Sequence, residues 1–223
     1  MDRQRRATDP LQELLENPCD YVGNAQPKIE SDRVASTAVS LSLQAGNAFD
    51  KTHSYIQLFT RLHSYNNSEK LLVDWQTDVW LRKTKYASAL PEDKVLNQTM
   101  NEEHYEQLLS KMDEMLPTMY MGLKMIVAGL YTYANDELVK NDMYNNLPDL
   151  RQNINQTMSD ARAILCYFNE IMYARNLQSE IKPITNDEIP GFANDWGLLL
   201  YRDTLNYLEY LQQVFHRLGN KEA

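Results

Sequence analysis

The chain is short of glycine (7), of cysteine (2) and of positive charge: 22 Lys and Arg against 31 Asp and Glu leave −9 over 223 residues. Scarce glycine argues against a sheet protein built on tight turns. A negative balance without a basic stripe excludes the phosphate-neutralising surface that nucleic-acid binding requires, and it disfavours an anionic membrane surface for the same reason. Long apolar runs are lacking too. The longest, Met119 to Tyr133, is interrupted by Lys124 and is too short to span a bilayer, so no membrane insertion is expected. The N-terminus shows no apolar h-region of a secretory signal peptide. Its "RQRR" at Arg3 to Arg6 reads either as a convertase cleavage pattern or as a basic tail.

Catalytic patterns are missing as well. A di-metal bundle uses Glu-x-x-His on helices, and no such pair occurs. His53, His63, His104 and His216 are scattered, without the spacing that sets two imidazoles on one metal. Neither a nucleophile elbow nor a phosphate-cradling glycine loop is found. The reading is therefore no enzyme, no cofactor and no metal.

What is present is helical periodicity. The first segment follows Ser31, a residue suited to an N-cap, with the stripe Val34, Ala38, Leu41, Ala45, Ala48, Thr52, Ile56, Phe59, Leu62. The second follows Asn101, with Tyr105, Leu108, Met112, Met115, Met119, Leu123, Ile126 and Leu130, and Pro117 is expected to kink it. Its methionines suit either plain core or an adaptable groove. The third opens at Pro148 and carries Leu150, Ile154, Met158, Ala161, Leu165, Phe168 and Ile171 or Met172. The fourth carries Leu200, Thr204, Tyr207, Leu208, Leu211, Phe215 and Leu218, with Gly219 expected as its C′ residue. Each stripe covers one face, so each helix needs partners. The fold expected is an all-α four-helix bundle at 31–223, preceded by an extension at 1–30.

About 36 residues separate the first two helices, about a dozen the next two and about 16 the last two, against the few of an ordinary helix-to-helix turn. Two reaching outer links with a short middle one suit the up-up-down-down arrangement, with up-down-up-down as the other choice. Within the first link, Leu72, Trp75 and Val79 share a helical face, which predicts a short extra helix acting as a lid; Trp80 points away from that face. Cys19 precedes the first helix and Cys166 lies on the third. They read either as a staple in an oxidising compartment or as two buried thiols. Sequons stand at Asn66, Asn97 and Asn155, a motif near its chance frequency in this composition.

"ENPCDYVGN" ahead of the first helix, "RAILCYFNEIM" on the third and "DWGLLLYRDTLNYLEYLQQVFHRLG" at the end together resemble the long-chain helical cytokines of the leukaemia inhibitory factor, oncostatin M and ciliary neurotrophic factor group. The resemblance runs from about Pro18 to the end as sparse matches. It implies a Cys19–Cys166 disulfide tying down the extension. It also implies a secreted, monomeric signalling ligand, glycosylated at its sequons, that assembles class I cytokine-type receptor chains. In that group the last helix begins with an aromatic-x-x-lysine receptor contact. Here Phe192 supplies the aromatic, but the position three on is Asp195, with Trp196 next and Gly197 letting neighbouring chain approach. The group also binds receptor through the outer faces of its first and third helices. The corresponding positions are Ser40, Asn47, Asp50, Ser54 and Arg61 on the first, and Gln152, Ser159, Ala163 and Tyr167 on the third. Trp80 joins this candidate receptor-binding set.

The rivals are an intracellular helical scaffold with free thiols and, more remotely, a helical carrier that opens to bind lipid. Peptide mapping without reductant separates the first two readings: a Cys19–Cys166 cross-link is expected, whereas two alkylatable thiols in protein from its source would favour the scaffold.

Overall fold

The computed structural model describes residues 9–21, 33–62, 67–68, 80–136, 140, 148–190 and 196–222. Among them the regular structure is helical: α1 (Pro10–Glu16), α2 (Val34–Ser54), α3 (Ile56–Leu62), α4 (Glu102–Ser110), α5 (Met112–Asn135), α6 (Pro148–Ala174) and α7 (Trp196–Glu222). The helix ends follow local chemistry. Asp9 caps α1 by accepting the Leu11 N–H at 3.0 Å, and Asn101 caps α4 by accepting that of His104 at 2.7 Å. At the other end of α6, Asn176 takes φ 57° and the Leu177 N–H returns to the Met172 carbonyl, the left-handed stop for which asparagine serves in place of glycine.

Three local expectations are corrected. The first long stripe is two helices, broken at Tyr55, whose hydroxyl is drawn inward to Thr157 at 2.6 Å. In the second stripe the break falls at Lys111, and Pro117 sits within the opening turns of α5. Gly219 does not end the last helix, which continues to Glu222; a Cβ there would press on the Val39 side chain and the Ala35 carbonyl. The extra helix expected around Leu72, Trp75 and Val79 falls on residues outside the described ones.

The helices pair around one core. Between α2 and α7, Ala35 and Val39 meet Gly219, the Ser42 hydroxyl donates to the Gln212 carbonyl at 2.8 Å, and Tyr201 donates to the Thr52 carbonyl at 2.8 Å. Numbers rise along one helix as they fall along the other. The same reversal holds for α5 with α7, where Tyr207 donates to the Met119 carbonyl at 2.6 Å, Gly129 faces Leu200 and Gly197 faces Tyr133. It holds again for α5 with α6, where Asp113 pairs with Arg175 and Tyr120 meets Phe168 edge-on at 5.3 Å. A buried hydroxyl chain joins Thr52 to Thr157 (3.0 Å) across α2 and α6, beside the Lys51–Asp160 ion pair at 3.3 Å.

Helix α5 is enclosed on every side: Met119 through Leu130 are all buried. On one flank, α1 inserts Leu11 and Leu15 into the shared core, and Gln12 bonds the carbonyl of Ile184 in the segment between α6 and α7. On another flank the segment after residue 80 lies close. Trp80 rests on Gly129, where a Cβ would meet its ring at 2.6 Å, and Ala89 rests on Gly122.

Lys124 lies in the middle of this enclosed helix and is 2% exposed; its Nζ donates to the Lys182 carbonyl at 3.3 Å. Burial pushes its pKa down from 10.5 to about 8, opposed by Glu16. Between about pH 8 and 10.5 the unfolded chain holds a proton that the folded one has released, so this group adds stability as pH rises through that window. At pH 7 it is charged in both states and the burial cost is present in full. Lys124→Met is expected to raise unfolding free energy at pH 7 by about 1–3 kcal/mol and to flatten the rise above pH 8. Urea titrations at pH 7 and 9.5 check it; a destabilised variant would show that the lysine holds the adjoining segment in place.

Candidate functional site

With the middle of α5 enclosed, α2 is a helix that keeps exposed positions along its whole length. On α2 the inward positions Val34, Ala38, Leu41, Ala45, Ala48 and Thr52 leave Val39, Leu43, Asn47 and Asp50 pointing out. Asn47 and Asp50 are exposed as expected. Between them and Val39 stands a residue the sequence reading passed over, Leu43, with 65% of its surface in water; Val39 shows 38%. They are the exposed large hydrophobics among the described residues.

Helix α6 adds the neighbouring strip. Its Asp160 receives Lys51 from α2 and the Gln156 amide at 3.2 Å, and Tyr167 stands seven residues on, so it shares that side. Tyr167 is half-buried and packs on the edge of the core. Gln152 and Ser159 are exposed, Ala163 is half-buried, and on α2 and α3 Ser54 and Arg61 are exposed with Ser40 half-buried. Asn47 and Asp50 thus lie on the outward side of α2, and Tyr167 on the side of α6 that meets α2. Phe192 and Asp195 lie outside the described residues, as does the side chain of Trp196, whose backbone opens α7.

Trp80, expected at a receptor contact, is instead a core residue. It is 0% exposed and wedged over Gly129 and beside Leu200, with no surface left for a partner.

The cysteines are joined, Cys19 to Cys166, with Cα atoms 4.9 Å apart. The chain around Cys19 runs along α6. Arg162 pairs with Asp20 and donates to the Asn17 carbonyl at 3.0 Å, and Tyr21 donates to Glu170 at 3.2 Å. Of the sequons, Asn97 is exposed in a turn with φ 63° and Asn155 is exposed on α6, while Asn66 lies outside the described residues. Thr157 of the Asn155 sequon is buried in the hydroxyl chain with Thr52 and Tyr55.

The sequence reading also missed the buried ionic contacts that seat the long link between α3 and α4. Asp203, 1% exposed, accepts the Leu81 N–H at 2.9 Å and pairs with Arg202 at 3.1 Å; burial pushes its carboxyl up to about 6. Lys94, whose side chain is fully covered, pairs with Glu209. Asp203 reads in sequence as one more helix charge; its one signal is its place beside the core residue Thr204. Among the described residues no group of His, Cys, Asp and Glu is arranged to hold a metal ion, and no helix is long and apolar enough to cross a membrane.

The class these features define is an all-α bundle with one disulfide and an outward face on α2 and α6. No family model, curated protein or solved structure matches the chain.

Trp80→Ala is expected to cost about 3–5 kcal/mol of stability, as removal of a large buried aromatic does, read as a lowered denaturant midpoint. An unchanged midpoint would place Trp80 outside the core.

Proposed function

We propose that the chain is an extracellular signalling ligand: a monomeric cytokine-like bundle in up-up-down-down order that acts by assembling class I cytokine-type receptor chains. The topology is supported by the reversed contact order of α2 with α7, α5 with α7 and α5 with α6. If α7 runs against both α2 and α5, those two run alike, and the long link between α3 and α4 must return the length of the bundle. Its contacts fit such a path: Leu81 meets Asp203, Lys94 meets Glu209 and the Met100 N–H meets Gln213, an ordered march along α7.

The observation that carries the functional reading is the unequal covering of the helices. Connecting segments enclose α5, while α2 keeps Leu43 in water on an outward face beside Asn47 and Asp50. An isolated exposed leucine is ordinary; one set among short polar side chains on a rigid helix has the make-up of an interface anchor with a polar rim. The disulfide suits an oxidising, extracellular setting. In mechanism, a ligand of this kind does no chemistry. One receptor chain would meet the α2–α6 face and a second the start of α7 at Phe192, Asp195 and Trp196, the rigid bundle fixing the distance between them.

Binding to a panel of class I receptor ectodomains tests this. Leu43→Glu, and separately Asn47→Arg with Asp50→Lys, are expected to weaken one chain about tenfold or more. Phe192→Ala with Trp196→Ala should weaken the other, and all variants should keep wild-type circular dichroism. Equal binding by every variant, or no ectodomain bound at all, would remove the proposal.

A further inference from the structure

Helix α1 is too short, at 7 residues, to stand as a helix alone, and it is held at both ends. Past its C-terminal end a tight loop carries Cys19: the Asn17 side chain accepts the Tyr21 N–H and donates to the Tyr21 carbonyl, both at 3.0 Å. Cys19 then joins Cys166 of α6. At the other end the fastenings reach the segment that leads into α7. Gln12 donates to the Ile184 carbonyl, and the Asn186 amide donates to Asp9 at 3.2 Å. Lys124 of α5 donates to the Lys182 carbonyl of the same segment, with Glu16 of α1 nearby. One short helix thus runs from the disulfide to the chain at 182–186, beside the buried Lys124. Without the disulfide, α1 keeps the burial of Leu11 and Leu15 and a few polar contacts at or near the surface: Arg162 with Asp20, Tyr21 with Glu170, Asn186 with Asp9. Exposed contacts of this kind are weak singly. Cys19 and Cys166 are both half-buried, which leaves the bond within reach of a small thiol.

We infer that the Cys19–Cys166 bond is a redox latch on this strap: its reduction frees α1 and loosens the segment at 181–189, while α2, α5, α6 and α7 stay folded together. The reductant is a dithiol. One of its thiolates attacks a cysteine sulfur, the Sγ–Sγ bond breaks, and the other cysteine leaves as a thiolate. The second thiol then attacks the mixed disulfide, releases the remaining cysteine and closes the reductant to its own disulfide. Two electrons and two protons pass to the cysteines. Because the loosened segment leads into α7, the latch regulates the contact proposed at Phe192, Asp195 and Trp196. That bearing rests on the receptor reading; the latch itself does not.

Hydrogen exchange on the full chain, oxidised and then treated with dithiothreitol, tests it. The amides of Ile181, Thr185, Glu188 and Ile189 are hydrogen-bonded within the segment. They should exchange faster by about tenfold or more once the bond is reduced, while amides of α2 and α7 keep their protection. A water-soluble acyl ester should modify Lys124 in the reduced chain and spare it in the oxidised one. Cys19→Ser with Cys166→Ser should reproduce both changes without reductant. Gln12→Ala, with the bond intact, should speed exchange at 181–189 and leave 17–21 protected, because it cuts only the strap's far end. Unchanged exchange at 181–189 in the reduced chain overturns the inference, as does a Lys124 that stays unmodified. Loss of protection throughout α2 and α7 overturns it too, by showing that the bond holds the bundle and not the strap. No receptor enters these measurements, so their outcome is separate from that of the binding panel.

Discussion

From Met119 to Leu130, helix α5 is buried around its whole circumference, and that single constraint organises the molecule. A helix in a four-helix bundle ordinarily shows one side to water. Here Met119 to Leu130 have no such side, so two partner helices are not enough and connecting chain must close the rest. The two outer links and α1 supply that cover. Their length follows from the work: Trp80 over Gly129, Ala89 over Gly122 and the segment around Ile184 beside α1 each bury part of α5. The missing side chains of Gly122 and Gly129 allow the crossing chain to approach closely enough to exclude water.

Helix α2, by contrast, keeps one face in water. The outward face of α2 is polar but for Val39 and Leu43, and it is joined to α6 by the hydroxyl chain of Thr52, Thr157 and Tyr55 and by the Lys51–Asp160 pair. In that pair Asp160 is buried and Lys51 reaches it from water; the buried hydroxyls, satisfied by one another, fix how the two helices sit. The disulfide acts on another flank of α6, fastening the segment after α1 so that Leu11 and Leu15 stay over α5. A rigid bundle with one dressed side and one bare side is suited to binding, and the proposed receptor assembly draws on that asymmetry.

The four periodic stripes were legible because burial writes itself as apolar spacing. The full enclosure of α5 departs from the expectation of a one-face stripe, although the longest apolar run, with Lys124 inside it, lies there. The breaks at Tyr55 and Lys111 were not legible, since the inward stripe continues unbroken across both and only backbone angles change. Gly219 looked like a helix stop because the same residue serves for termination and for close approach, and Val39 across the interface decides which. Trp80 and Asp203 share a cause: each is buried by contacts with chain more than forty residues away in sequence, which no local pattern records. Of the candidate site, Asn47 and Asp50 followed from being opposite the stripe. Leu43 lies on that same face but breaks its polarity, so a search for polar positions passes over it.

The account stands on α2 and α5 running in the same direction. Spin labels at the exposed positions Ser36 and Glu114, near the starts of these helices, measure this by pulsed dipolar spectroscopy. Parallel helices place both labels at one end of the bundle, separated by little more than its diagonal, about 15 Å between helix axes plus the label arms. A separation near the full length of a 27-residue helix, about 40 Å, would put the labels at opposite ends and contradict the account.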